Sequence, residues 1–202
     1  LHSSEKYDIY VTGSNAFLLS SDLATLFTGR TFEIEVFPFS FKEYVKYHNL
    51  SNNYEAYNRY LLDGGMAGCY VYNNENDKAR YIKNVFDTLI LRDIKQKYKI
   101  RNEMILSKVT DYLTDNISNL SSARKITDDI NNRGEKVDHK TITNYMVYLC
   151  NAFAFYKVKR YDIQGKRYLA SFEKYYLSDH SFKSARLGSK NMDYGRLLEN
   201  IV

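Results

Sequence analysis

The chain has 202 residues, 44% hydrophobic and 26% charged, a balance ordinary for a globular protein with room for one large domain or two small ones. Its two cysteines, Cys69 and Cys150, and its four histidines, His2, His48, His139 and His180, fall at no metal-ligand or disulfide spacing. No apolar run approaches membrane-spanning length, and no signal-peptide pattern opens the chain. Two lone cysteines suit a reducing compartment, so the expected location is cytoplasmic.

Net charge is +5, and it is unevenly placed: residues 1–100 carry 12 basic and 12 acidic side chains, residues 101–202 carry 17 and 12. An excess confined to one half points to an anionic partner there, although a solvated surface explains an excess of this size as well.

In chain order, Tyr7–Val11 reads as a short buried strand, closed by Thr12-Gly13-Ser14. A helix follows over Ala16–Thr28 and stops at Gly29-Arg30. In Thr31–Val36, Phe32, Ile34 and Val36 alternate with Glu33 and Glu35, which predicts a strand with one wet face. Strand, helix, strand is a piece of a parallel α/β sheet.

Ser40 with Glu43 forms a capping box for a helix from Phe41. A helix over Asn53–Asp63 ends at Gly64-Gly65, and a long amphipathic helix covers Asp77–Tyr98. Within it, Asp87 is placed to pair with Lys83 and Asp93 with Lys97. Then come a helix over Glu103–Ile117, one capped by Ser121, and one capped by Asp138 that carries Ile142, Tyr145, Met146 and Leu149 on one face. Phe153–Tyr161 and Arg167–Leu177 read as a hairpin turning at Gln164-Gly165. Three helices and a hairpin are the plan of a winged helix.

Several stretches together resemble the AAA+ ATPases of bacteria and archaea. Tyr10–Ala16 is similar to their sensor strand, and Gly29-Arg30 with Phe37–Tyr44 to the end of their core. Gly64-Gly65-Met66, Leu91–Ile94, Lys174–Asp179 and Leu198–Val202 resemble the C-terminal domain that commonly follows that core. Ala67 stands where the family commonly has proline, and the P-loop pattern and an acidic Walker B strand are absent. The resemblance thus implies an internal piece of a longer ATPase, inactive alone, whose parent uses ATP and Mg and works as a homo-oligomer.

The fold expected is α+β and mostly helical. Residues 1–40 are the remnant of the AAA+ core, 41–100 a helical linker or lid, 101–180 a winged-helix-like domain, and 181–202 a C-terminal helical segment. The resemblance makes Arg30 an arginine finger and Asn15 or Thr12 a sensor of the γ-phosphate. The alternatives are that Arg30 only complements the helix dipole and that the Thr12–Asn15 stretch is only a strand-end turn and helix cap.

For the basic half, the third helix of a winged helix enters the major groove of duplex DNA and the wing reaches its backbone. Lys140, Thr143, Asn144 and Tyr148 fall on the outer face of that helix, and Lys166 and Arg167 at the wing tip. The alternatives are a stand-alone winged-helix regulator and a module that contacts other protein subunits.

Overall fold

A computed structural model describes residues 7, 8, 10, 12, 32, 34–159, 173–188 and 193–202, the side chains of residues 89 and 90 excepted. These residues are mostly helical with one small antiparallel sheet, the α+β class expected. Of the N-terminal elements, the helix over Ala16–Thr28 lies outside the described residues. Residues 7, 8, 10, 32 and 34–36 are in no regular element, and Phe32, Ile34 and Val36 are exposed. This corrects the strand expected there at the residues described. A parallel strand takes its hydrogen bonds from neighbouring strands, and among the described residues none flanks this segment.

Helix α1 (Phe41–Tyr47) begins at Ser40, whose hydroxyl accepts from Glu43 N–H while Glu43 accepts from Ser40 N–H. The two bonds satisfy orphan donors at the helix start. Helix α2 (Tyr54–Asp63) is capped by Asn53 and ends at Gly64. After a 3₁₀ turn at Ala67–Val71 comes the long helical run expected over Asp77–Tyr98. It is interrupted: α3 (Glu75–Asn84) passes through a π-helical stretch, Val85–Arg92, into α4 (Asp93–Tyr98). The pairing expected of Asp87 with Lys83 gives way to another partner. Asp87 bonds Arg186 at 2.9 Å, and Asp93 lies 3.5 Å from Arg92. Lys99, in the left-handed conformation at φ 47°, ends α4.

The second half runs α5 (Glu103–Asp115), β1 (Leu120–Ser121), α6 (Ala123–Asn132), α7 (His139–Asn151), β2 (Phe155–Lys159) and β3 (Glu173–Leu177). Ser121 belongs to β1, and its neighbour Ser122 caps α6, because the residue whose oxygen reaches Lys125 N–H is one further along. The sheet order is β1-β3-β2, antiparallel, with Phe155 opposite Leu177 and Lys159 opposite Glu173. The hairpin turn at Gln164-Gly165 falls outside the described residues. Helices α8 (Ser181–Leu187) and α9 (Tyr194–Ile201) follow, and α8 packs on α3 and α5.

One apolar core joins the two halves. Ile82, Phe86 and Ile94 of the long helical run bury with Leu106, Ile126, Ile142, Leu149, Phe155, Leu177 and Phe182. Burial of this kind, non-directional and proportional to area, is the main favourable term holding such a fold.

Candidate nucleic-acid interface

Helix α7 owes its position to two devices. Asp138 accepts from Thr141 N–H (2.9 Å) and from the Thr141 hydroxyl (2.7 Å), which hold its carboxyl below the usual carboxylate range. Asn131 accepts from Val137 N–H (2.9 Å) and donates to Val137 carbonyl (3.1 Å), pinning the α6–α7 turn. Ile142, Tyr145, Met146 and Leu149 then bury, as the periodicity predicts, leaving the opposite stripe outward.

The four residues expected on that outward stripe divide into two sets. Lys140 and Thr143 are exposed, although the Thr143 hydroxyl donates to His139 carbonyl at 2.9 Å within its own helix. Asn144 and Tyr148 are half-buried instead, because the connection between α4 and α5 lies across them. Tyr98 stacks on Tyr148 with centroids 3.6 Å apart and planes 7° from parallel. Asn151 reaches the Tyr98 hydroxyl at 3.4 Å, and Tyr145 the Asn102 carbonyl at 3.4 Å.

Between this connection and α7 lies a cleft of about 380 Å³, its wall formed in part by Lys99, Arg101, Lys136, Asp138, Asn144 and Tyr148. Among the described residues, Lys99, Arg101, Lys136 and Lys140 are exposed and make no ion pair. By contrast Arg133 pairs with Asp129 and Lys157 with Glu173, so these two basic side chains are partly neutralised. Lys99 and Arg101 were not among the sequence candidates. The signal available was a pair of cations flanking Ile100 in the short link between two helices.

Thr12 is exposed, whereas Arg30, Asn15, Lys166 and Arg167 lie outside the described residues. Among the described residues, no group of His, Cys, Asp and Glu could hold a metal ion, and no helix is long and apolar enough to cross a membrane.

The sequence motifs of the C-terminal half turn out to be joints. Gly65 N–H donates to Asp179 (2.7 Å), and Phe39 N–H donates to Gly65 carbonyl (2.8 Å). His180 Nε2 donates to Tyr60 carbonyl at 2.9 Å, and the Tyr60 hydroxyl to Phe39 carbonyl at 2.7 Å. So the Gly-Gly turn, the Ser178–Ser181 segment and the strap preceding α1 are tied in one place. Beyond it, Asn200 accepts from Leu177 N–H (2.7 Å) and donates to Leu177 carbonyl (3.1 Å), acting as a short stand-in strand on β3. Glu199 accepts from Lys174 (2.5 Å) and from the Tyr176 hydroxyl (2.8 Å).

Comparison with known proteins agrees with this division. Residues 1–45 match the AAA domain, and residues 54–193 match a domain of unknown function, DUF8612. An uncharacterized protein of Haemophilus influenzae is 37% identical over 206 residues, covering 100% of this chain and 51% of its own length. The uncharacterized protein MJ1544 of Methanocaldococcus jannaschii is 28% identical over 207 residues, covering 97% of this chain and 46% of its own length. The chain therefore spans about half the length of the curated relatives it matches. No solved structure matches it. With more than half of its residues matched, the chain belongs to the DUF8612 family.

Proposed function

We propose that this chain is the C-terminal portion of an AAA+-type ATPase and that its residues 101–180 form a winged helix coupling ATP hydrolysis to duplex DNA. The match of residues 1–45 to the AAA domain supports the ATPase origin. The observation that supports the coupling is the order α5-β1-α6-α7-β2-β3 with sheet order β1-β3-β2, and on this reading α7 is the recognition helix. Lys140, unpaired among the described residues, is the first contact, and Lys166 and Arg167 supply the wing's charge. In the parent, ATP and Mg occupy the core of a homo-oligomer, Asn15 or Thr12 senses the γ-phosphate, and Arg30 reaches a neighbour's nucleotide.

A titration of the chain with fluorescent duplex DNA tests the reading. Binding should weaken steeply with salt, since every neutralised phosphate releases counterions. Removing charge at Lys166 and Arg167 should weaken binding to all sequences alike, while Asn144→Ala acts unevenly if that amide reads a base edge. Absence of binding at low salt sinks the coupling to DNA.

A second reading, a module for protein contacts, is favoured by one observation. Tyr98 covers Tyr148, removing part of α7 from the face that would enter a groove. A stand-alone regulator is disfavoured by the AAA match.

A further inference from the structure

We propose that the cleft between the Tyr98–Asn102 connection and α7 grips one phosphodiester strand of duplex DNA, with Lys99, Arg101 and Lys136 on its phosphate oxygens. The inference rests on the reading of residues 101–180 as a DNA-contacting winged helix. It goes further in moving the backbone contact from the wing to the link that enters that domain and the turn before α7.

Three separate parts of the fold converge on the cleft: the link after α4, the turn before α7, and α7 itself. Each brings exposed cations, Lys99 and Arg101 from the link and Lys136 from the turn, with Lys140 one step along α7. Among the described residues none of the four has a carboxylate partner. The carboxylate in the wall, Asp138, has both oxygens engaged by Thr141 at 2.9 and 2.7 Å, which leaves it committed to the helix cap.

The three cations outnumber the one carboxylate of the wall, so the cleft carries a net positive charge that attracts anions. The remainder of the wall mixes hydrogen-bonding groups, among them Asn102, Thr141 and Asn144, with the apolar side chains of Ile100, Ile105 and Val137. A small-molecule site would be mainly apolar, with its few charges enclosed. Here the cations stand exposed at the rim, as a polymer backbone passing across the mouth requires.

The connection is also held in advance. Its Tyr98 stack on Tyr148, the Asn151 bond at 3.4 Å and the Tyr145 bond to Asn102 at 3.4 Å fix it before any ligand binds. Contacts that need no ordering give up less free energy on association. With Tyr98 in place, the C-terminal part of α7 cannot enter a groove as deeply as its N-terminal part. Contact is thereby shared between Lys140 on the helix and the link beside it.

The test is the salt dependence of binding by the full chain to a fluorescent duplex of arbitrary sequence. The variant combines Lys99→Asn, which tolerates the left-handed backbone, with Arg101→Gln and Lys136→Gln. Its control removes equal charge elsewhere, by Lys42→Gln, Lys46→Gln and Arg80→Gln. The slope of log affinity against log salt should fall by about 2 to 3 in the cleft variant, since each phosphate contact contributes about 0.9. The control should keep the parental slope, as should Arg101→Lys, which retains the charge. Circular dichroism melting establishes that the variants are folded. An unchanged slope in a folded cleft variant overturns this proposal and leaves DNA contact to α7. An equal loss in the control overturns it too, assigning binding to net charge. No binding by the unaltered chain at low salt overturns both this proposal and the DNA reading, and leaves the face to a protein partner.

Discussion

Gly64 sits at φ 74°, ψ −173°, a region open in practice to glycine alone. A Cβ there would fall 2.5 Å from the Ser181 side chain and 2.6 Å from Asp179. Gly64→Ala is therefore expected to cost roughly 2–5 kcal/mol, combining backbone strain with overpacking. Urea unfolding measures it, and a loss near zero would mean that the turn can rearrange. Arg186 is the second residue with several obligations. It donates to Asp111 (2.5 Å), Asp87 (2.9 Å) and Ser107 (2.7 Å), and its side chain is 14% exposed. Both acids are partly exposed, so solvent already screens the network. Arg186→Met should lower stability by about 1–2 kcal/mol. Arg186→Lys should recover little of that, because an ammonium cannot reproduce the planar fork. Full recovery with lysine would reduce the network to a simple charge effect. Cys69 is inert by the same logic of environment: burial pushes its thiol up to about 12, so it holds no thiolate near neutrality.

At the scale of elements, the attachment of α9 to β3 depends on ionisation. Hydrogen bonds from Lys174 and then from Tyr176 lower the Glu199 carboxyl below its ordinary range. The unfolded chain takes up the proton first as pH falls. The stabilisation is thus whole above the ordinary carboxylate range and disappears as pH drops through the folded-state value. Thermal unfolding across that acid range should show Glu199→Gln with a shallower decline than the parent chain. Equal declines would place the acid sensitivity elsewhere. Most elements of this part were legible beforehand because local signals coincided: Ser40 with Glu43 before α1 and Asp138 before α7, each followed by helix-spaced apolar residues. The π-helical stretch at Val85–Arg92 was not, because an apolar stripe reads alike through an α-helix and a single wide turn. Its effect appears in Asp87, which bonds Arg186 and not the expected Lys83.

Across the whole molecule, what the sequence left unread was long-range. Asp179 meets Gly65, and Asn200 meets Leu177, through contacts that no spacing along the chain announces. The candidate face shows the same limit. Helical periodicity placed Lys140, Thr143, Asn144 and Tyr148 together on α7, but it could not foresee Tyr98 arriving from another element to cover the last of them. The tie of Phe39 to Gly65 and of Gly65 to Asp179 joins the end of the AAA-matched segment to the β3–α8 junction. On the proposed function, that tie carries movement of a nucleotide-driven core to the sheet beside α7. In the longer protein Arg30→Ala should then depress ATP turnover far more than ATP affinity, since a finger acts on charge developed in the transition state. Unchanged turnover would return Arg30 to a helix-end cation.

The coupling itself is tested most directly by steady-state ATP turnover of the longer protein with and without duplex DNA, in the parent and in Lys140→Ala. The account predicts that DNA changes the parent's turnover, that rising salt abolishes the change, and that the variant retains basal turnover with a diminished response. Turnover indifferent to DNA in a protein that hydrolyses ATP would contradict it.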